Sequence, residues 1–562
     1  MTPYWLEEKV ADPISRSIGN LGQGAKAKFY ASRLYQASLT GRHPNHLVVY
    51  PQNPFPGDRA KADPMFEGLF TFAGITIDAS TTPPWTSPEV SEAWLEEWHS
   101  FDWLKHIAAA GGEVGKRHAR GFVKSWLQNF ARFDAIAWRP DILARRQMAW
   151  LYHAKLILDP TDLVYRSVVM NTLARQARHL HRVGPGAPAG MPRLVSAVGL
   201  VFSSLCLPYS ARRFETGIEF LKRELNAQVK GDGGYISRNP EDQFTVLRLL
   251  AALRKLFQTA DREVPTVLQQ TIDRMVPMAR AFLHGDGGLT LMNGANVGDP
   301  AALKLALTLS ESHGKPIADA SHTGYQRIAA EQTLAIVDAG RPPSRDIAGT
   351  AHHAAPLAFE FSVGEKRLVV NCGHAAHGPW ERASRTTAAH STLVLGSRNA
   401  CGILANGKLG RVPGAVTARR QEADGQVWLD LSHDGYGKIF NIVHERRIYL
   451  SADGADLRGE DLLSGPGVEK HRGLEFTVRF HLHPTVPASL LGGGDSVVLR
   501  IGKSEAWRFT ARGGTVTLEE SIYLADGEHR KAEQIVVTGR LGEGRPQVKW
   551  SFKRLEALKG GL

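Results

Sequence analysis

Cysteine is nearly missing from this sequence: Cys206, Cys372 and Cys401 are three in 562 residues, an odd number with no C-x-x-C spacing. Neither a disulfide framework nor a thiolate zinc site is signalled. Cys206 and Cys372 sit in apolar runs that suit small buried hydrophobes. Also lacking is any uninterrupted apolar run near the ~20 residues of a bilayer span, so membrane insertion is not expected. The amino terminus, MTPYWLEEKVADPISR, has no basic region followed by an apolar core. No export signal is read there, and the expected compartment is the cytoplasm. Lysine-rich tails and aromatic-and-basic motifs of the RNA-binding kind are missing too, and the arginines are scattered along amphipathic segments. Nucleic acid is therefore not the expected partner, although a net charge of +12 favours some polyanion.

What is present is length and two kinds of periodicity. A chain of 562 residues exceeds what one hydrophobic core supports, so two or more domains are expected. Apolar residues recur at helical spacing over 94–110, 115–133, 142–158, 162–182, 193–207, 213–228, 240–259, 265–283 and 300–312, several of these opening with Asp or Pro. Short connections make consecutive helices antiparallel neighbours; the period alone leaves an open stack and a closed ring as alternatives. Near residue 325 the period switches to two, over 325–328, 333–339, 427–431, 439–450, 498–501 and 535–538, which implies an antiparallel sandwich. The expected division is a helical part over 1–324, with an irregular entry segment to about 90, and a β-sandwich over 325–562.

Chemistry concentrates in the stretch 349–395, GTAHHAAPLAFEFSVGEKRLVVNCGHAAHGPWERASRTTAAHSTLVL, where imidazoles cluster between short apolar runs. Strand ends and loops present working groups on a rigid scaffold. A His before L-x-F-E, a run ending in N-C-G, and R-x-T-x-A-H-S-T-L resemble the heparinase II/III family of polysaccharide lyases. His353 matches the second histidine of that family's H-x-H, Asn371 the Asp of its D-x-G, Arg385 its arginine and His390 its last histidine. Ala351, Ala355 and Ser391 depart from the pattern, at the first histidine, the following Asp and an Asn.

The resemblance implies an (α/α) toroid of helical hairpins followed by an antiparallel sandwich, with a groove for an extended acidic polysaccharide or oligosaccharide. It also makes the periplasm or cell envelope the alternative compartment, and a homodimer is admitted. In the loop 229–243, VKGDGGYISRNPEDQ, Tyr235 and Asn239 join His353 and His390 as catalytic candidates. Arg238, Asn293, Arg385, His433 and Tyr436 are the substrate-binding candidates. Asn239 also has a purely structural role open to it, as cap of a helix with Pro240 at its first position. A structural zinc ion, if held, would take His353, Asn371 and His390.

The implied reaction is β-elimination at a uronate, in which a base removes the C5 proton, the C4 oxygen leaves, and charge building on the carboxylate needs donors. Tyr and His are the residue types for the proton transfers. The absence of imidazole at Ala351 requires another imidazole, such as His352, to substitute, or else the protein binds acidic carbohydrate with little or no catalysis. A glycoside hydrolase needs two opposed carboxylates, for which Asp232 and Glu241 are the available pair. Trp94, Trp98, Trp126, Trp138 and Trp150 suit sugar stacking but more ordinarily pack a core. His444, Arg446, His481 and His483 read as strand residues.

Overall fold

The computed structural model describes residues 24–555 apart from 503, 504, 526, 528 and 543. The opening of the expected entry segment and residues 556–562 of the expected sandwich lie outside the described residues. The fold class is the expected one, with helical hairpins of the (α/α) toroid class first and antiparallel sheets after them. Two compact units divide the described chain. One holds the residues up to Gln228 with Arg248–Thr271; the other holds Val229–Leu247 and everything from Ile272 onward. Compactness thus groups the loop around Tyr235 with the strands.

In the helical unit, side-chain caps set where helices begin. Ser91 accepts from the Trp94 N–H to start Glu92–Ser100, and Asp162 accepts from the Tyr165 N–H to start Leu163–Val183. The helix expected over 94–110 is two, because Phe101 at φ 57° ends the first before Leu104–Ala110 begins. The stretch 142–158 likewise breaks at His153, between Pro140–Tyr152 and Ala154–Ile157. The turn-rich path over 48–72 runs into a hairpin that its short strands did not announce, Leu69–Phe72 against Ile75–Asp78.

The five tryptophans weighed as sugar platforms are all core residues, none more than 2% exposed. Trp94 stacks on Trp98 at 5.7 Å, and the buried Arg146 guanidinium lies 4.2 Å over Trp126 while donating to the His99 carbonyl. No helix among the described residues is long and apolar enough to cross a membrane.

In the other unit the described strands form two antiparallel sheets. The first runs in spatial order Thr515–Tyr523, Arg530–Arg540, Glu475–Leu482, Lys366–Val370, Phe359–Val363, Thr333–Asp338, Tyr325–Ala330 and Asp319–Ala320, with Leu393–Leu395 also on Glu475–Leu482. The second runs Ala488–Leu490, Ser496–Ile501, Glu505–Arg512, Gln547–Leu555, Asp456–Ser464, Val443–Leu450, Gln426–His433 and Val416–Ala423. Of the strand expected over 439–450, the first residues form a helical turn, Gly437–Phe440, ended by Asn441 in the left-handed region.

Between the sheets Phe359 stacks on Trp550 at 5.4 Å, and Phe480, Phe509 and Phe552 pack around them. Gln426–His433 and Val443–Leu450 alternate buried and accessible residues, as strands with one wet face do. Thr333–Asp338 and Phe359–Val363 are buried at every position. Each carries a carboxylate that must therefore find partners, and those partners position the candidate site.

Candidate functional site

Glu360 is the first of these carboxylates. Flanked by Phe359 and Phe361 and wholly buried, it accepts from His284 Nε2 at 3.0 Å, Thr290 Oγ1 at 2.9 Å, the Leu291 N–H at 3.1 Å and the Asn371 N–H at 3.0 Å. It clamps the loop after residue 283 onto the sheet. Burial opposes its charge, but the His284 contact leads the effects that hold its carboxyl below the usual range.

Asp338 is the second. Arg238 Nη2 donates to its Oδ1, and Asn293 Nδ2 donates to its Oδ2 at 2.8 Å. Arg238 further donates to the Thr323 and Gly324 carbonyls, and Asn293 to the Tyr325 hydroxyl at 2.6 Å. Both residues have positive backbone φ, 59° and 54°, and are 2% and 3% exposed. Two of the five residues expected to bind substrate are thus tied to a common interior carboxylate. The enclosed Tyr235 ring, 1% exposed, offers no surface to a polymer either.

Asn239 fares differently. Its Oδ1 caps the helix Pro240–Thr259 by accepting from the Glu241 N–H at 2.8 Å, and it remains half-buried. A Cβ placed on Gly294 would stand 3.2 Å from Asn239 Nδ2 and 2.9 Å from the Ala351 carbonyl, so the amide borders the spot where an imidazole is missing. His352 does not fill that role, since it is 3% exposed, and burial, then Arg238 and Arg385, keep it neutral. Arg385, 1% exposed, points Nε and Nη2 at the His352 carbonyl, at 3.2 and 3.0 Å.

Beyond Ala351 the geometry is a line of imidazoles. His390 Nδ1 lies 2.7 Å from the Thr386 carbonyl, which only accepts, so that nitrogen carries the proton. His390 Nε2 then accepts from His353 Nδ1 at 2.7 Å. His353 Nε2 is left with its lone pair, 3.5 Å from Nδ1 of the half-buried His374. Burial pushes His390 and His374 down to about 4 and His353 well below its ordinary value. All three are neutral at pH 7. Sequence reasoning missed His374, Asp338 and Glu360; the signal for the carboxylates was a charge inside an otherwise apolar strand.

The three side chains named for zinc do not fit it. His353 and His390 hold each other by a direct hydrogen bond, Asn371 Oδ1 accepts from the Ser391 N–H at 3.0 Å, and Asn371 Nδ2 faces Glu360 at 3.2 Å. Tetrahedral zinc needs unshared donors converging at about 2.0–2.1 Å. No group of three or more His, Cys, Asp or Glu suited to a metal occurs among the described residues.

The remaining candidates lie elsewhere. His433 Nδ1 accepts from the Gly435 N–H, so its Nε2 donates to His444 Nδ1 at 3.1 Å, and His444 Nε2 donates to Asp461 at 2.7 Å. Arg446 and Trp550 also donate to Asp461, and the whole cluster is sealed in the sandwich. Tyr436, fully buried, donates to the Leu393 carbonyl at 2.9 Å. His433 and Tyr436 are structural here, and so are His444 and Arg446. Asp232 holds Gly234 and Thr323 through both oxygens, which removes one member of the hydrolase pair.

A family model described as heparinase II/III-like, C-terminal, matches residues 312–551. FtsZ-localized protein C of Caulobacter vibrioides (strain NA1000 / CB15N) is 30% identical over 548 residues, covering 94% of each chain. Among solved structures, heparinase III aligns with a TM-score of 0.71 at 14% identity, over 96% of this chain and 91% of that one. Heparan sulfate lyase HepC from Pedobacter heparinus aligns with a TM-score of 0.60 at 16% identity, over 99% and 92%. At such identities the two structures speak for the fold alone.

Proposed function

The chain belongs to the heparinase II/III-like family, and on that premise we propose that it binds an acidic glycan without efficient β-elimination. One observation carries this reading: Arg238 and Asn293, two of the donors expected to meet substrate, both end on Asp338. A carboxylate gaining charge in a transition state needs donors aimed at it, and loss of one costs ~3 kcal/mol, roughly a hundredfold in rate. Ala351 adds the loss of an imidazole. What borders Ala351 is the Asn239 amide, with the His353–His374 pair further along, a set suited to hydroxyl and carboxylate recognition. Calorimetry with polygalacturonate, alginate, hyaluronate and heparin, run beside ultraviolet detection of unsaturated uronate, tests it. Binding without absorbance supports the proposal; sustained absorbance overturns it.

A polysaccharide lyase is the second reading, favoured by half-buried His374, whose Nδ1 faces His353 Nε2 at 3.5 Å and leaves its own Nε2 as the lone pair. An imidazole that is neutral at the working pH has a lone pair to accept a proton. Sustained product loss on replacing His374 with Ala would support it.

For location, the 30% identical relative is named as FtsZ-localized. We extend that to this chain, as a protein gathering with FtsZ on the cytoplasmic side. A fluorescent fusion spread evenly through the cell, or one found in the periplasm, would overturn this.

A further inference from the structure

The outward face of the eight-stranded sheet carries a second arrangement, built from none of the residues discussed above as site candidates. A hollow of about 830 Å³ opens on that face, floored by the strands whose inward residues Leu429, Ile448 and Trp550 pack the core. An outward sheet face is ordinarily a flat field of solvated polar residues. Here two in-register rows cross it. Trp428 pairs with Tyr449, Tyr449 with Arg458, Arg458 with Ser551, and Ser551 with Thr510. One step along the strands, Asp430 pairs with Arg447, Arg447 with Glu460, Glu460 with Lys549, and Lys549 with Arg512. Strands lie about 4.8 Å apart, so each row spans roughly 19 Å, and the rows are about 7 Å apart.

The first row begins as an aromatic platform. The half-buried Trp428 and Tyr449 rings lie 5.3 Å apart at 48°, and the Arg458 guanidinium sits 5.5 Å over Tyr449. Such rings present apolar faces with polar edges, which suits the C–H faces and hydroxyl rims of sugars. The second row is charged. Arg447 meets Asp430 at 3.0 Å, but Glu460 accepts from Gln547 rather than pairing with Lys549. Lys549 and Arg512 stand exposed and form no ion pair among the described residues.

We infer that this face is a binding surface for an acidic polysaccharide, its sugar rings lying on Trp428 and Tyr449 and its carboxylates meeting Arg447, Lys549 and Arg512. Charge complementarity selects the occupant. A nucleic acid presents a phosphate at every step, and Asp430 beside Arg447 and Glu460 between Arg447 and Lys549 repel it. A uronate chain alternates carboxylates with hydroxyls, for which those same two carboxylates are acceptors. The ligand class is that of the proposed function, but the surface is separate, and the test distinguishes the two.

Binding of the full chain to polygalacturonate is measured by affinity electrophoresis and calorimetry, with dextran as the neutral control and a DNA duplex as the competing polyanion. Trp428→Ala and the double variant Lys549→Glu/Arg512→Glu alter outward positions only, and circular dichroism with thermal melting checks their folding. Each is expected to weaken polygalacturonate binding roughly tenfold or more, about 1.4 kcal/mol, with the charge reversal also flattening the salt dependence. Wild-type affinity in both variants would overturn the inference. So would tighter binding of DNA than of polygalacturonate at the same salt, or no binding of polygalacturonate at all. Asn239→Ala and His374→Ala are measured in parallel. Loss confined to those two leaves the proposed function standing and removes this surface; loss confined to the sheet variants does the reverse.

Discussion

His353 Nδ1 and His390 Nε2 lie 2.7 Å apart, one buried imidazole donating to another. Two rings that share a proton do not both turn lone pairs toward a metal. Adding stoichiometric zinc to the purified protein is therefore expected to leave the melting temperature unchanged, and dialysis is expected to remove the ion. A stabilising shift with tight retention would contradict this geometry.

Asp338 holds both Arg238 and Asn293 in the interior. Asp338→Ala leaves the Arg238 guanidinium buried without its counter-charge, and removal of one partner from such a pair costs about 3–5 kcal/mol. Chemical denaturation is expected to show a loss of unfolding free energy of that size, and Asp338→Asn, which keeps an acceptor oxygen, a smaller one.

Gly459 faces the ring of Trp550, and a Cβ there would lie 2.1 Å from the indole. The ring is part of the sandwich core and cannot retreat freely. Gly459→Ala is expected to destabilise by about 1–3 kcal/mol through overpacking, measured as a lowered melting temperature.

Acid is expected to weaken the fold well above the carboxylate range. Burial holds His390 at about 4 and His99 at about 3, against an ordinary value of 6.5. The unfolded chain therefore binds more protons than the folded one between pH 6.5 and those values. Stability falls as pH drops through that window, by about 3 kcal/mol for one histidine shifted as far as His390. Melting temperatures recorded from pH 7 to pH 4 check it, and His390→Gln is expected to flatten the slope.

Ala351 borders Asn239 through Gly294. Ala351→His restores an imidazole at that border, and a general base contributes about 10²–10⁴-fold to a proton transfer. An elimination rate measurable in this variant and at least tenfold above the parent is the expected outcome.

Local rules made most elements legible. Pro240 opening a helix, Asp162 and Ser91 as caps, and the two-residue alternation over 426–433 are all short-range patterns. The break at Phe101 and the turn Gly437–Phe440 were not legible, because neither Gly nor Pro marks the left-handed residue that ends each helix there, Phe101 or Asn441. For the site, the string around His353 and His390 holds two imidazoles that stand 2.7 Å apart in the fold. The roles of Arg238 and Asn293 could not be read, since their partner Asp338 lies 100 and 45 residues away in sequence. An acidic residue ending the apolar run TLAIVD was the available clue, and it says only that some cation or donor must come, not which.

The most direct measurement is calorimetric titration of the full chain with acidic polysaccharides while the same samples are followed for unsaturated uronate. Saturable binding to at least one uronate polymer, with no product over many hours, is the expected result. Steady formation of unsaturated chain ends by the unaltered protein would contradict it.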